Sequence, residues 1–301
     1  MNLSIGQNEQ TQSGRSKSMS KIKPKDLNVS LGTGPARVIS ITSGKGGVGK
    51  TNTSVNLGLA LAALGKRVLL LDGDLGLANI NIILGFEPTR TLAEVIAGKC
   101  DLQDVIVQHD LGLDIIPASS GLPEVTNLSE AERMALVEAF DELADNYDYV
   151  LVDTAAGIGD NVLYFNVAAE QILVVVTPEP TSITDAYALI KVLSSRSGRN
   201  EFGILINRAP EGTDGRAAFA QLAAATDRFL TVKLSFLGAI SEDESVVGSV
   251  VQRKPYLQVF PSSKAARDVT KLAKRIAESD SSRTPKGGMQ FFFRSLLEAS
   301  A

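Results

Sequence analysis

Gly44-Lys45-Gly46-Gly47-Val48-Gly49-Lys50-Thr51 stands between an apolar, β-branched run and a helical pattern, and no other stretch of the 301 residues narrows the fold so far. Residues 37–42 (Arg-Val-Ile-Ser-Ile-Thr) read as a short buried strand; residues 50–64, with apolar Val55, Leu57, Leu59, Leu61 and Leu64, read as a helix. The octet is therefore a strand-to-helix turn. Its glycines let backbone N–H groups curl round a phosphate at the helix N-terminus, where the dipole favours anions. Lys50 adds a point charge for the β and γ oxygens, and Thr51 a hydroxyl for Mg²⁺. An ordinary glycine-rich turn shares the spacing but not the flanking strand and helix, so Gly44, Lys45, Gly46, Gly47, Val48, Gly49, Lys50, Thr51 and the adjoining Asn52 form the expected nucleotide-binding segment.

The rest of the chain alternates in the same way. Strands are expected near residues 67–71, 113–116, 149–152, 172–177, 202–207 and 235–240, and helices near 129–145, 183–195, 215–230 and 263–277. Such alternation predicts an α/β fold, a mostly parallel twisted sheet covered by helices on both faces, with ligands at the carboxyl ends of the strands. Hydrophobic content of 44% is enough for one large core over residues 36–278. Residues 1–35, rich in Ser, Gln, Asn and Lys, are expected to be a disordered arm without a signal-peptide pattern, and Met19 is an alternative start. Residues 279–288 read as a flexible linker.

Two further segments place acids where phosphates are expected. The run at 68–71 ends in Asp72-Gly73-Asp74, and Tyr149-Val150-Leu151-Val152 ends in Asp153-Thr154-Ala155-Ala156-Gly157. An acidic pair after a strand can merely cap a turn; beside a phosphate loop it becomes hydrolytic machinery. Asp153 has the position of a Walker B carboxylate that holds Mg²⁺, and the Gly157 amide can sense a γ-phosphate.

The net charge of -4 argues against a strongly basic nucleic-acid binder, and no specific nucleic acid is expected. Lys264, Arg267, Lys271, Lys274 and Arg275 recur at helical spacing, as a solvated face or as a DNA-facing strip. A single cysteine, Cys100, excludes an intrachain disulfide and a thiol-ligated cluster. Neither Cys100 nor the lone His109, placed in a polar turn, is assigned a function. No run approaches the ~20 apolar residues of a membrane span, so a cytoplasmic location is expected. Met289, Phe292, Phe293, Leu296 and Leu297 share one face when residues 289–297 are wound as a helix. Such a C-terminal amphipathic helix, spanning 289–301, suits either a groove on the same domain or a membrane surface.

Lys-Gly-Gly-Val-Gly-Lys-Thr resembles the deviant Walker A motif of the MinD/ParA superfamily. The resemblance implies that Lys45 reaches across a dimer interface to the partner's nucleotide, so that ATP holds a homodimer together. It also implies that Asp74 orients the attacking water, that Asp72 supports the Mg²⁺ shell, and that Asn207 and Arg208 lie beside the base. Lys45, Lys50 and Asp74 are thereby the expected catalytic residues, and Thr51, Asp72 and Asp153 the metal-binding ones. Residues 71–79, 153–160 and 179–191 are similar to one branch, the flagellar-number regulators of the FlhG/FleN type. Members of that branch restrain a flagellar enhancer-binding transcriptional activator, some contact flagellar switch proteins, and they are similar in having a C-terminal amphipathic helix; in this chain that tail is expected to associate reversibly with the inner face of the cytoplasmic membrane. An Asp-Gln-Ala activation helix found in many of them has no match in residues 1–34. Asn81 stands where an acid is usual, and Gly73 where alanine is common. MinD-type division-site and ParA-type partitioning ATPases share the motifs and are the competing readings. Slow turnover, ~10⁻⁴ to 10⁻² s⁻¹, is expected of a switch of this class without its activator.

Overall fold

The computed structural model describes residues 36–74, 79–91, 94–95, 98–117, 139–140, 143 and 146–279. The expected N-terminal arm, most of the 129–145 helix, nearly all of the 279–288 linker and the 289–301 tail lie outside them. One sheet organises the described residues: β1 (Arg37–Ser43), β2 (Val68–Gly73), β3 (Val107–His109), β4 (Leu113–Ile116), β5 (Tyr149–Ala156), β6 (Gln171–Val176), β7 (Glu201–Ala209) and β8 (Lys233–Ser241), in the order β3-β4-β2-β5-β1-β6-β7-β8. Every pairing is parallel except β3 with β4. Described helices are α1 (Lys50–Ala63), α2 (Ile80–Leu84), α3 (Leu102–Val105), α4 (Asp160–Ala168), α5 (Pro180–Ser197), α6 (Arg216–Phe229), α7 (Glu244–Val251), α8 (Tyr256–Val259) and α9 (Lys264–Ser279).

The inner strands are apolar throughout because both faces are covered. Ile39, Ile41 and Leu70 pack with α1 and α9, while Val38, Leu69 and Leu71 point to the opposite core. Sandwiched between the sheet and α9, α1 buries every residue from Thr53 to Leu61, so this stretch lacks a solvent-facing polar side. It stops when Gly65, at φ +78, turns the chain and returns its N–H to Ala62. By contrast α9 is two-faced. Ala265, Val269, Leu272 and Ile276 are buried, and Lys264, Arg267, Lys271, Lys274 and Arg275 are exposed on the opposite face.

The central strand β1 lies between β5 and β6, so the chain leaves it to one side for β2 and returns on the other for β6. A crevice opens at such a reversal, at the carboxyl ends. His109 stands where the antiparallel edge strand β3 meets the turn to β4: it pairs with Leu113, its carbonyl accepts the Gly112 amide at 2.9 Å, and its Nδ1 accepts the Leu111 amide at 3.3 Å. The short helices α2, α3, α7 and α8 and the nine-residue α4 span too few residues for a period to show. Among the described residues no helix is long and apolar enough to cross a membrane.

Candidate nucleotide site

The loop between β1 and α1 is built by glycine at several positions for different reasons. Gly47 and Gly49 adopt left-handed backbones, φ +75 and +91, which other residues rarely enter. A Cβ on Gly46 or Gly47 would meet nothing within 4 Å, so this stretch leaves room for a phosphate to approach the backbone. Elsewhere the loop is wedged. A Cβ on Gly44 would stand 2.1 Å from the carbonyl oxygen of Asp185 in α5, and one on Gly49 would stand 2.4 Å from Nδ2 of Asn207. That Asn207 amide donates to the Val48 carbonyl at 2.7 Å, so β7 braces the loop from outside. Helix α1 begins without a side-chain cap and without an acid in its first turn, leaving its N-terminal amides for an anion.

Lys50, the first residue of α1, is buried. Burial lowers its pKa, against the pull of Asp153 and Asp74. Asp72 and Asp153 are register partners on β2 and β5, each 1% exposed. Burial pushes the Asp153 carboxyl up to about 6, although the hydroxyls of Thr51 and Ser54 donate to it, Ser54 at 2.8 Å. Burial and the neighbouring Asp153 push Asp72 up to about 7. Its Oδ1 accepts the Asp74 amide at 3.1 Å, while its Oδ2 is buried without a partner. Two buried acids, an orphaned carboxylate oxygen and the Thr51 hydroxyl are hard oxygen donors that suit Mg²⁺. No cluster of three or more His, Cys, Asp or Glu side chains forms a metal cage among the described residues.

Other expected residues gather here in unexpected contacts. Gly157, at φ +97, lies against the start of the loop, but its amide donates to the Ser43 carbonyl at 2.9 Å. Arg208 is exposed and holds a left-handed backbone, φ +54, unusual without glycine. Lys45 donates to Glu179 Oε2 at 2.7 Å and to Thr181 Oγ1 at 2.9 Å, at the start of α5. Asn52, in the first turn of α1, has a buried side-chain oxygen without a partner. Sequence reasoning missed Ser54, although it follows Lys50 by one helical turn and so shares its face. It also missed Glu179 and Thr181, which carry no local signal.

A family profile described as an AAA domain matches residues 36–201. The antiactivator FleN of Pseudomonas aeruginosa is 48% identical over 242 residues, which cover 80% of this chain and 86% of that protein. The chain belongs to the MinD/ParA superfamily, in its FlhG/FleN branch. The flagellum site-determining protein YlxH of Helicobacter pylori is 34% identical over 78% of this chain and 80% of its own length. Among solved structures, the cell division ATPase MinD of Pyrococcus furiosus superposes with a TM-score of 0.65 at 29% identity, covering 81% of this chain and 99% of that one. MinD of Pyrococcus horikoshii, solved with Mg-ADP, gives 0.63 at 29% identity, covering 81% and 97%. This MinD/ParA ATPase hydrolyses ATP and uses Mg²⁺.

Proposed function

We propose that this ATPase is a dimerising switch that sets flagellar number and placement by antagonising the flagellar master transcriptional activator. The observation that carries the reading is the 48% identity, over most of both chains, to a protein named an antiactivator. The 34% relative named for flagellum site determination supports it independently.

In this reading the glycine loop and Lys50 hold the β and γ phosphates, and Asn207 and Arg208 flank the base. Thr51, Asp72 and Asp153 would hold Mg²⁺, which would supply positive charge against that developing on the phosphate oxygens. Asp74 stands one residue beyond β2 and orients water in line with the γ-phosphorus. Positioning is the protein's main lever on phosphoryl transfer. Gly157 gives up its bond to Ser43 to reach the γ-phosphate, and reverts after hydrolysis. Lys45 of each copy touches the other copy's nucleotide, so ATP favours the dimer by mass action. The tail at 289–297 attaches reversibly to the inner face of the cytoplasmic membrane, weakly as one copy and by avidity as two. Flagellar switch proteins are secondary partners.

The test mixes the purified chain, ATP and Mg²⁺ with the purified flagellar enhancer-binding activator of the same organism. The wild-type chain is expected to lower the activator's ATPase rate in proportion to the dimer formed, and Lys45→Ala to leave it untouched. An activator unaffected by demonstrably dimeric chain would end this reading.

A further inference from the structure

We infer that the basic stripe of α9 is a second membrane contact, in which Lys264, Arg267, Lys271, Lys274 and Arg275 meet the headgroups of an anionic bilayer. The inference rests on the proposed attachment of residues 289–297 and adds an electrostatic partner to it. At about 100° per residue, the five cations fall within an arc of about 100° of the helix, and all are exposed. Among the described residues of α9, Glu278 is the exposed acid on that arc, and Asp268 is largely covered. Three of the cations have a use inside the fold. Lys264 pairs with Glu211, Lys271 with Asp268 at 3.1 Å, and Arg275 donates to the Leu237 carbonyl at 2.7 Å. Arg267 and Lys274 make no side-chain hydrogen bond or ion pair among the described residues, so their charge is available to an external anion.

The position of α9 in the chain selects the anion. Residues 289–297 offer Met289, Phe292, Phe293, Leu296 and Leu297 for burial in lipid but only one cation, Arg294. A short apolar segment attaches marginally by itself, and a polybasic patch is one of the second signals that make attachment firm. Residues 280–288 separate the two parts and span at most about 32 Å when fully extended, whereas the 16 residues of α9 are about 24 Å long. A bilayer that holds residue 289 therefore has the whole stripe within reach. Helix α9 also runs back along β8, since Ser241 at the end of β8 donates to Asp268 at 2.7 Å while the later Arg275 reaches Leu237 in mid-strand. The stripe thus lies along the side of the molecule, clear of the edge where nucleotide binds. Duplex DNA would match the charge but leave the apolar residues of 289–297 in water, and the chain as a whole is acidic.

The test is vesicle co-sedimentation of the full chain with Mg²⁺ and a non-hydrolysable ATP analogue. One set of vesicles is phosphatidylcholine alone, and the other contains about one-third phosphatidylglycerol, whose negative charge attracts basic segments. Each Lys or Arg beside an anionic leaflet is worth about fivefold in partition, so the double variant Arg267→Gln, Lys274→Gln should bind the anionic vesicles about 25-fold more weakly. It should bind the neutral vesicles as wild type does, a contrast that local damage would not produce, and melt as wild type does because both sites are exposed. The double variant Phe292→Gln, Phe293→Gln should lose binding to both. If Arg267→Gln, Lys274→Gln binds anionic vesicles as tightly as wild type while the Phe292, Phe293 variant fails to bind, the stripe alone is overturned. Wild type that binds neither vesicle, or a Phe292, Phe293 variant that binds both unimpaired, would overturn the attachment of residues 289–297 and the stripe's part in it. Salt-sensitive binding to a duplex DNA fragment that Arg267→Gln, Lys274→Gln abolishes, with vesicle binding unchanged, would overturn the lipid assignment in favour of nucleic acid.

Discussion

Asp74 and Gly49 show how different demands meet at one site. The amide of Asp74 is pinned to Asp72, and its side chain lies within electrostatic reach of Lys50 and Asp153. Asp74→Ala is expected to lower phosphate release by about 100-fold or more, the usual worth of a group that positions or activates the nucleophile. ATP should still bind, so ATP-loaded dimers accumulate on a sizing column; undiminished phosphate release would remove Asp74 from the mechanism. Gly49→Ala tests the scaffold. Its φ of +91 strains any side chain, and the new methyl would strike the Asn207 amide. Strain and overpacking of this kind cost about 1–3 kcal/mol each. The variant should melt several degrees lower and bind ATP at least tenfold more weakly by titration calorimetry. The glycines and the paired acids were legible because the phosphate chemistry fixes their spacing along the chain. Glu179 was not, since 134 residues separate it from Lys45 and only the sheet order brings them together.

At the level of elements, strands fared better than short helices. Buried parallel strands must be apolar on both faces, which makes residues 113–116 and 149–152 conspicuous, and the main error there was length. Strand β5 runs on to Ala156 because Asp153 and Thr154 remain in register with Asp72 and Gly73 of β2, although their side chains are polar. How β2 and β5 are joined at their other end was not legible. Asp148 accepts the Arg67 amide at 2.8 Å and its guanidinium at 3.0 Å, and its own N–H donates to the Arg67 carbonyl. Burial would raise the Asp148 pKa, but the Arg67 hydrogen bonds outweigh it and hold the carboxyl below its ordinary value. A depressed carboxyl stabilises the fold fully above its unfolded pKa of about 3.9, and that share is lost as pH falls through the folded value. Asp148→Asn should therefore cost about 1–2 kcal/mol at pH 7. The gap to wild type should narrow below about pH 4. Urea melts at pH 7 and pH 3 check this, and a gap that widens in acid would contradict the sign.

For the whole molecule, connectivity sorts the exposed aliphatic side chains by end of the sheet. Ile82 follows β2, Ile158 follows β5, and Val247, Val250 and Val251 follow β8, so all lie toward the carboxyl ends with the nucleotide loop. Leu64 precedes β2 and Leu111 joins β3 to β4, which places both toward the amino ends. A dimer that closes over the nucleotide would cover the first set and leave the second in water. Ile158 is the sharpest probe, being 51% exposed and next to Gly157. In the monomer Ile158→Asp puts a charge into solvent and should shift stability by less than about 0.5 kcal/mol. In a two-fold dimer the substitution occurs twice, and each buried, unpaired carboxylate costs about 3 kcal/mol or more. At about 1.4 kcal/mol per decade, the dissociation constant with the non-hydrolysable analogue should rise more than 1000-fold, while the monomer's affinity for that analogue stays unchanged. Leu64→Asp supplies the control, because it adds the same charge at the opposite end and should dimerise as wild type does. If both variants dimerise alike, the surface that pairs lies elsewhere, and Lys45 cannot reach across it from the nucleotide edge of the sheet.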